Sequence, residues 1–281
     1  MNVREHSKGT LFINGKKLYF EEAGEGETVI LLHAHSVDSR MWNAQFEALG
    51  NHYRVIRYDL RGYGKSEMPD QRRFFRHIDD LIGLMQQLHV SKAHLVGLSL
   101  GSMLAVDCLA LHPEKVLSVS VAGSGLYVTE KDQWLPFTES EQSEVDSAAK
   151  EVNIASFKQE WFSGLLDSCG QHRDKIKDEL WRMIENWSAW QPVYERRWPL
   201  VGPSIVKLLR DRPSDLPLLI MIGEEDSIGS RQSSEQLAAL ISSAETVYLP
   251  QSGHMSNMET PELFNHTIIS FLHKRGNEYR K

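Results

Sequence analysis

Ser99 lies in a stretch of sequence whose residue types and spacing suggest a nucleophile. It stands between two glycines in the pattern Gly97-x-Ser99-x-Gly101, after an apolar run and before a helical pattern. This order is typical of a nucleophile elbow, a turn so tight that its flanks need glycine and that raises the serine hydroxyl above a sheet. The helix that follows would aim backbone N–H groups at a developing anion. The alternative is an ordinary strand-to-helix turn in which the serine caps the helix.

A serine hydroxyl is a weak nucleophile at neutral pH, so it needs a base and an acid that orients the base. In a sheet whose serine lies in a nucleophile elbow, the base and the acid both come later in the chain than the serine. Each of them directly follows a strand. His254 follows one β-like run, and we expect it to be the base rather than a surface-loop histidine. Glu224, Glu225 and Asp226 follow another. Of these three we expect Asp226 to be the acid; the alternative is a solvated acidic turn.

The stretch HAHSVD, residues 33–38, is compatible with two kinds of site. In an extended chain His33 and His35 point to the same side, and with Asp38 they could begin a hydrolytic metal site. The pattern expected there is H-x-H-x-D-H, whereas here the aspartate comes one place late and the last histidine is missing. The same stretch could instead be a turn whose backbone N–H groups stabilise a negative charge. We favour the turn and expect neither a metal nor a cofactor.

Alternating β-like and helical runs predict the elements that position these residues. The β-like runs span residues 28–33, 53–58, 93–98, 116–121, 216–223 and 246–250, and helical patterns span 74–88, 102–111, 233–243 and 262–272. The near-continuous apolar character of the second to fourth runs is typical of a parallel sheet covered on both faces. Asn14-Gly15 between two alternating segments predicts a hairpin. The pattern indicates an α/β fold with a mostly parallel central sheet flanked by helices.

Residues 125–200 have a different character, because they contain helical patterns and no convincing strand. Leu180, Met183, Ile184 and Trp187 recur at helical spacing. We therefore predict a helical insertion over 125–200, between a first core part at 1–124 and a second at 201–281. Its tryptophans either fill a core or line a substrate cleft. They are Trp134, Trp161, Trp181, Trp187, Trp190 and Trp198.

The bulk composition excludes several classes of protein. The 281-residue chain is 41% hydrophobic and 25% charged, the balance of an ordinary soluble globular protein. Its net charge of −7 does not favour nucleic-acid binding, and it has neither a signal-peptide core nor an apolar run long enough for a membrane span. Cys108 and Cys169 lie far apart and are expected to be small buried residues. We expect a cytoplasmic protein with a small-molecule substrate and no membrane or nucleic-acid partner; the sequence does not indicate its oligomeric state.

Together these motifs resemble the α/β-hydrolase superfamily, and the resemblance runs nearly from end to end. Besides the elbow, the octapeptide DLRGYGKS at 59–66 matches the family pattern D-x-R-G-x-G-x-S. Gly253-His254 followed by Glu259 and Pro261 is another family feature. The chain looks most like the small carboxylesterase and 3-oxoadipate enol-lactonase branches. The resemblance implies that the helical insertion is the cap above the active site.

The resemblance also implies roles for the residues around the elbow. It aligns His33-Ala34 with the usual His-Gly pair after the third strand, so that the backbone N–H groups of His35 and Leu100 would form the oxyanion hole.

The implied activity is hydrolysis of a small ester, thioester or lactone through an acyl-enzyme on Ser99, with His254 as base and Asp226 as acid. The alternatives are a carbon–carbon bond hydrolase or a perhydrolase with the same triad, since a fold does not determine a reaction. A ligand receptor that turns over slowly is a further alternative.

Overall fold

The computed structural model describes residues 6–70, 75–123, 126, 153–190, 203–211 and 216–278. Within these ranges eight strands form a single sheet. In chain order the strands are β1 (His6–Ile13), β2 (Lys16–Ala23), β3 (Thr28–Leu32), β4 (Arg54–Tyr58), β5 (Ala93–Leu98), β6 (Val116–Ala122), β7 (Leu218–Gly223) and β8 (Ala244–Leu249). Across the sheet they follow the order β1-β2-β4-β3-β5-β6-β7-β8.

The sheet is mostly parallel, which confirms the predicted fold class. All pairings from β4 across to β8 are parallel, whereas β1 and β2 pair antiparallel at one edge. The chain passes from β3 to β4 on one side and then returns to β5 on the other side of β3. In open α/β sheets the ligand-binding crevice lies beyond the carboxyl ends of the two strands at such a reversal, here β3 and β5.

The antiparallel edge begins with the predicted hairpin. Ile13 pairs with Lys16 across a two-residue turn. Asn14 and Gly15, the turn residues, both have positive φ, at 47° and 82°. Asn-Gly adopts this geometry readily, and its twist matches that of the flanking strands.

Helices cover both faces of the sheet. In chain order those in the described ranges are α1 (Asn43–Leu49), α2 (His77–Gln87), α3 (Leu100–Leu111), α4 (Ile154–Asp167), α5 (Arg173–Asn186), α6 (Pro203–Asp211), α7 (Ile228–Leu240), α8 (Ser256–Glu259) and α9 (Pro261–Glu278). Short 3₁₀ turns occur at Ser39–Trp42 and Pro113–Lys115. Across the described part of the chain, no helix combines the length and apolar character needed to cross a membrane.

Strand β3 shows how the two apolar layers are built. Its side chains alternate between the faces of the sheet, and all of them are buried. Ile30 and Leu32 join a core with residues of α2, α3, α6 and α7, whereas Val29 and Leu31 join a core with residues of α1, α5 and α9. Burial on both faces explains why the parallel strands read as continuous apolar runs. It also fixes the carboxyl edge of the sheet, where the candidate site lies.

The described residues between β6 and β7 form the helices α4, α5 and α6 and contain no strand. Leu180, Met183, Ile184 and Trp187 are buried, so the helical spacing correctly identified the packed face of α5. Trp134 and Trp198 lie outside the described residues. The division into 1–124, 125–200 and 201–281 remains a prediction.

Cys108 and Cys169 are both buried free thiols, as expected.

Candidate active site

Ser99 occupies the turn between β5 and α3. Its backbone has φ 55° and ψ −112°, a left-handed conformation that residues other than glycine rarely adopt. A Cβ atom on Gly97 would lie 2.3 Å from the carbonyl oxygen of Gly101, and one on Gly101 would lie 2.0 Å from that of Leu32. The turn therefore requires glycine at both flanks and holds Ser99 in a strained conformation at the carboxyl edge of the sheet.

The Ser99 side chain does not cap helix α3, although Ser99 is the residue that precedes the helix. Its N–H donates to the carbonyl oxygen of Ala122, 2.9 Å away. A different serine, the fully buried Ser102, braces the turn: its hydroxyl lies 2.9 Å from the carbonyl oxygen of Gly97 and 2.7 Å from that of Ala122. These contacts tie the turn to β6 and leave the half-buried Ser99 hydroxyl without a capping role.

His254 and Asp226 meet at the carboxyl ends of β8 and β7. His254 Nδ1 lies 3.1 Å from Asp226 Oδ1 and 3.2 Å from Oδ2. The Asp226 side chain is 2% exposed and the His254 side chain 16% exposed. An ionised carboxylate only accepts hydrogen bonds, so Nδ1 donates and carries a proton. In the neutral ring Nε2 is then the basic nitrogen.

Asp226 is held by the first turn of α7. The N–H of Ser227 donates to Oδ1 at 2.7 Å, and the hydroxyl of Ser230 donates to Oδ2 at 2.5 Å. Glu224 and Glu225, the other two acids of the turn, are exposed. The structure therefore brings Asp226, and neither glutamate, to the histidine.

The backbone at the end of strand β6 lies against both Ser99 and His254. The Ser99 N–H is bonded to Ala122, and the next residue, Gly123, has a left-handed φ of 62°. A Cβ atom on Gly123 would lie 3.2 Å from Cε1 and 3.3 Å from Nδ1 of His254. Within the described ranges no hydrogen bond joins Ser99 Oγ to His254.

Glu259 braces the loop that carries His254. Its buried carboxylate accepts the N–H groups of Gly253 and Met255, each at 3.1 Å, and that of Gly170, at 2.5 Å. Burial raises the pKa of Glu259, while these backbone donors oppose the rise. The His254 N–H is itself fixed to the turn after α4, because it donates to a carbonyl oxygen there. The histidine therefore stands on a rigid backbone.

The loop after β3 lies beside the elbow, because Gly101 packs directly against Leu32. Leu100 is the first residue of α3, so its N–H has no acceptor within the helix. His35 lies three residues beyond the end of β3. The structure thus brings the loop that carries His35 next to the start of α3, where Leu100 lies.

Ala34 occupies the position at which the family pattern has glycine. It is buried, and it is not among the residues with positive φ. The left-handed conformation occurs instead at Ser36, with φ 65°. The loop therefore accommodates the alanine Cβ by turning two residues later.

His33 cannot serve as a metal ligand in this arrangement. Its Nδ1 donates to the carbonyl oxygen of Ala34 at 2.7 Å, and its Nε2 accepts the N–H of Leu60 at 2.9 Å. The ring is fully buried, and burial lowers the pKa of His33, which favours the neutral form. In the described part of the chain, no group of three or more His, Cys, Asp or Glu side chains could hold a metal ion.

A model of the alpha/beta hydrolase family matches residues 29–267. The chain belongs to this family. The matched range extends from β3 into α9 and includes Ser99, Asp226 and His254, so the family resemblance seen in the sequence is confirmed.

Individual members of the family with similar sequences are named for different reactions. The 2-hydroxy-6-oxo-6-(2'-aminophenyl)hexa-2,4-dienoic acid hydrolase of Metapseudomonas resinovorans is 26% identical over 286 residues, covering 94% of this chain and 91% of that protein. The 3-oxoadipate enol-lactonase 1 of Acinetobacter baylyi is 25% identical over 260 residues, covering 92% and 94%. The relatives of this chain thus include a protein named as a dienoic acid hydrolase and one named as an enol-lactonase.

A solved structure of the enol-lactonase from Burkholderia xenovorans aligns with a TM-score of 0.76 at 22% identity. The alignment covers 94% of this chain and 99% of that one. At this level of identity the likeness establishes the alpha/beta hydrolase fold.

Two serines that support the site were not identified from the sequence. Ser102 braces the elbow, and no motif marks it. Ser230 donates to Asp226, and here a signal was present, because Ser227 and Ser230 have the spacing of a capped helix start.

Two of the tryptophans predicted in the helical insertion contact the His35 ring. The ring centroid of Trp161 lies 5.1 Å from that of His35, and that of Trp187 lies 4.9 Å away, both edge-on. His35 Nδ1 also lies 2.7 Å from the Tyr63 hydroxyl. Trp181 instead packs against Phe162, with ring centroids 5.1 Å apart. These tryptophans therefore have different roles, and two of them reach the loop beside the elbow.

A cavity of about 300 Å³ lies beside the loop that follows β3. Residues 36–40, residues of the loop 59–65, and Trp187 at the end of α5 are among those that line it. Ser99, Asp226 and His254 are not part of its wall.

Proposed function

We propose that this alpha/beta hydrolase cleaves a small carboxylic ester, thioester or lactone through an acyl-enzyme on Ser99. The observation that carries the proposal is the contact between His254 Nδ1 and the buried Asp226, next to a strained turn whose serine does not cap its helix. A histidine oriented in this way has its second nitrogen free to take a proton. Backbone strain of the kind seen at Ser99 is often found at functional sites.

In the first step Ser99 Oγ bonds to the carbonyl carbon and its proton passes to Nε2 of His254. The C–O π electrons move to the carbonyl oxygen, where the N–H groups of His35 and Leu100 stabilise the negative charge. Collapse of this intermediate expels the alcohol or thiol, which takes the proton from His254. Water then repeats the sequence on the acyl-enzyme and releases the acid. Asp226 stabilises the imidazolium in both halves without taking the proton.

The choice of an ester or lactone rests on the similarity to an enol-lactonase across most of both chains. A carbon–carbon bond hydrolase is the second candidate, because the dienoic acid hydrolase is similar over a comparable range. Both reactions can use one set of residues, since a family fold hosts several chemistries. We also propose that α4 and α5 belong to a cap over the crevice, with boundaries near 125 and 200.

The two candidates can be compared by turnover of the purified protein on three classes of substrate. These are p-nitrophenyl esters of two- to six-carbon acids, five- and six-membered lactones including enol-lactones, and a 2-hydroxy-6-oxo-dienoic acid. Each is assayed with the wild-type protein and with Ser99→Ala. We expect the highest kcat/KM on an ester or lactone, in the range of about 10⁴ M⁻¹s⁻¹ or more, and loss of that activity in Ser99→Ala.

Other outcomes would each contradict part of the proposal. Preferred cleavage of the dienoic acid would favour the carbon–carbon bond hydrolase. Tight binding with negligible turnover of every substrate would favour a ligand receptor. Hydrolysis that persists in Ser99→Ala at the wild-type rate would exclude Ser99 as the nucleophile.

A further inference from the structure

A chain of hydrogen bonds runs from helix α4 to the loop that carries the proposed oxyanion donor. The indole N–H of Trp161 donates to Ser36 Oγ at 2.8 Å. The Ser36 hydroxyl in turn donates to the carbonyl oxygen of His35 at 2.6 Å. The hydroxyl thus links a residue 125 positions away in the sequence to the backbone of His35.

Ser36 is the point at which this loop is strained. It is fully buried and has φ 65°, a left-handed conformation that is unfavourable for a residue other than glycine. The two hydrogen bonds of its hydroxyl offset that strain. Because Ser36 follows His35 directly, its conformation fixes the peptide plane on the carboxyl side of the proposed oxyanion donor.

The side chain of His35 is held from two directions. On one side it contacts Trp161 and Trp187 edge-on, at centroid distances of 5.1 and 4.9 Å. On the other it is bonded to the Tyr63 hydroxyl, in the loop after β4. Trp161 is itself stacked against Phe157 at 24°, so its indole N–H has a defined direction. Contacts from helix α4 and from the sheet edge together orient the loop.

We propose that Trp161 and Ser36 are positioning residues that aim the His35 N–H at the oxyanion. On this account helix α4, through Trp161, contributes to the rate of the chemical step. Since the oxyanion exists only in the tetrahedral species, misaligning its donor weakens binding of that species and leaves binding of the ground state nearly unchanged. This inference rests on the proposed serine hydrolase function.

The test compares Trp161→Phe and Ser36→Ala with the double variant. Phenylalanine keeps an aromatic ring but removes the N–H together with part of the indole, and alanine removes only the hydroxyl. Trp181→Phe is the matched control, because Trp181 lies on α5 and packs against Phe162. For each variant, kcat and KM are measured on one ester. The inhibition constants of a trifluoromethyl ketone, which forms a tetrahedral adduct on serine, and of the product acid are measured beside them.

We expect kcat and the affinity for the trifluoromethyl ketone to fall together by about tenfold in each single variant. KM and the affinity for the product acid should stay within about twofold. In the double variant, kcat and the affinity for the ketone should lie within about twofold of those of the more impaired single variant, because both changes break the same chain of hydrogen bonds. Trp181→Phe should match the wild type.

Several results would overturn the inference. These are unchanged kcat in Ser36→Ala, equal losses of affinity for the ketone and the product acid, additive losses in the double variant, or an equal loss in Trp181→Phe. If Trp161→Phe does not fold, as judged by circular dichroism, Ser36→Ala carries the test. Labelling of the wild-type protein with a fluorophosphonate separates this inference from the proposed function. The inference alone is contradicted if Ser99 is labelled but the variants keep the wild-type ratio of the inhibition constants for the trifluoromethyl ketone and the product acid. Both the inference and the proposed function are contradicted if Ser99 is not labelled.

Discussion

The Nδ1 atom of His254 lies almost equidistant from the two carboxylate oxygens of Asp226, at 3.1 and 3.2 Å. Asp226 is held in turn by the Ser227 N–H and the Ser230 hydroxyl. In each of these contacts the partner donates a hydrogen bond to the buried carboxylate of Asp226. The arrangement fixes both the position of the histidine ring and the nitrogen that carries its proton.

Asp226→Asn should therefore lower kcat on a good ester by on the order of 10⁴. Asparagine keeps the size of the side chain but can present an N–H to Nδ1, which favours the wrong histidine tautomer. The change should leave KM nearly unaltered, because Asp226 is not expected to touch the substrate. Steady-state kinetics on one ester, with circular dichroism as a check of folding, would measure this.

Glu224→Gln and Glu225→Gln are matched controls for that variant. Both glutamates are exposed, and an exposed charge one or two residues away interacts only weakly through solvent. Each variant should keep kcat within about tenfold of the wild type. Near-normal activity in Asp226→Asn, with loss in either glutamine variant, would show that the acid had been wrongly assigned.

Gly101→Ala should destabilise the fold, since a Cβ at this position would lie 2.0 Å from the carbonyl oxygen of Leu32. Relief requires α3 to move away from β3, and we expect a loss of about 3 kcal/mol or more in the free energy of unfolding. Gly164→Ala is the control, because no atom lies within 4 Å of a Cβ there and Gly164 is inside helix α4. Gly164→Ala should raise the free energy of unfolding by about 0.5–1 kcal/mol. Urea denaturation measures both; equal stability of the two variants would contradict the close packing at the elbow.

Asp107 should make the stability of the protein fall as the pH rises. Its carboxyl oxygens have no hydrogen-bond partner among the described residues, and burial raises the pKa of Asp107 well above its usual value. Folding then takes up a proton, so the stability is fully present below the unfolded pKa of about 4 and is lost as the pH rises towards the folded pKa. Asp107→Asn, which resembles the neutral acid, should be more stable than the wild type at pH 8 and equal to it near pH 3.5. A stability difference that does not change with pH would contradict this.

Hydrolysis should survive removal of metal ions. Both ring nitrogens of His33 are occupied by hydrogen bonds, so the histidine pair after β3 cannot act as a chelating site without breaking the loop. Dialysis against EDTA and then 1,10-phenanthroline should leave kcat within about twofold. Loss of activity that added zinc restores would revive the metal interpretation of His33 and His35.

The sheet could be predicted from the sequence because burial on both faces leaves only apolar positions in the parallel strands. The same logic brings the residues after strands to one edge, which is why Ser99, Asp226 and His254 could be proposed together. Helix α7 shows where this approach failed. Its apolar spacing predicts a start near residue 233, yet the helix begins at Ile228, because Ser227 caps a first turn in which no residue is buried.

Contacts between distant segments were beyond the reach of sequence reasoning. Neither tryptophan spacing nor propensity indicates that Trp161 bonds to Ser36, because the contact depends on how α4 lies over the sheet. The role of Ser102 could not be predicted from the sequence either, since a buried serine in a helix has no distinctive sequence pattern. The strained φ of Ser36 likewise follows from tertiary packing, not from the residue type.

The most direct test of the central claim is to map the residue that a fluorophosphonate modifies. Attack by the activated oxygen forms an O–P bond and expels fluoride, so the label marks the nucleophile. Intact-mass and peptide mass spectrometry of the wild-type protein should find one phosphonyl group per chain, on the peptide that contains Ser99, with parallel loss of ester hydrolysis. Stoichiometric labelling of another residue, or an unlabelled protein that still hydrolyses the ester, would contradict the proposed mechanism.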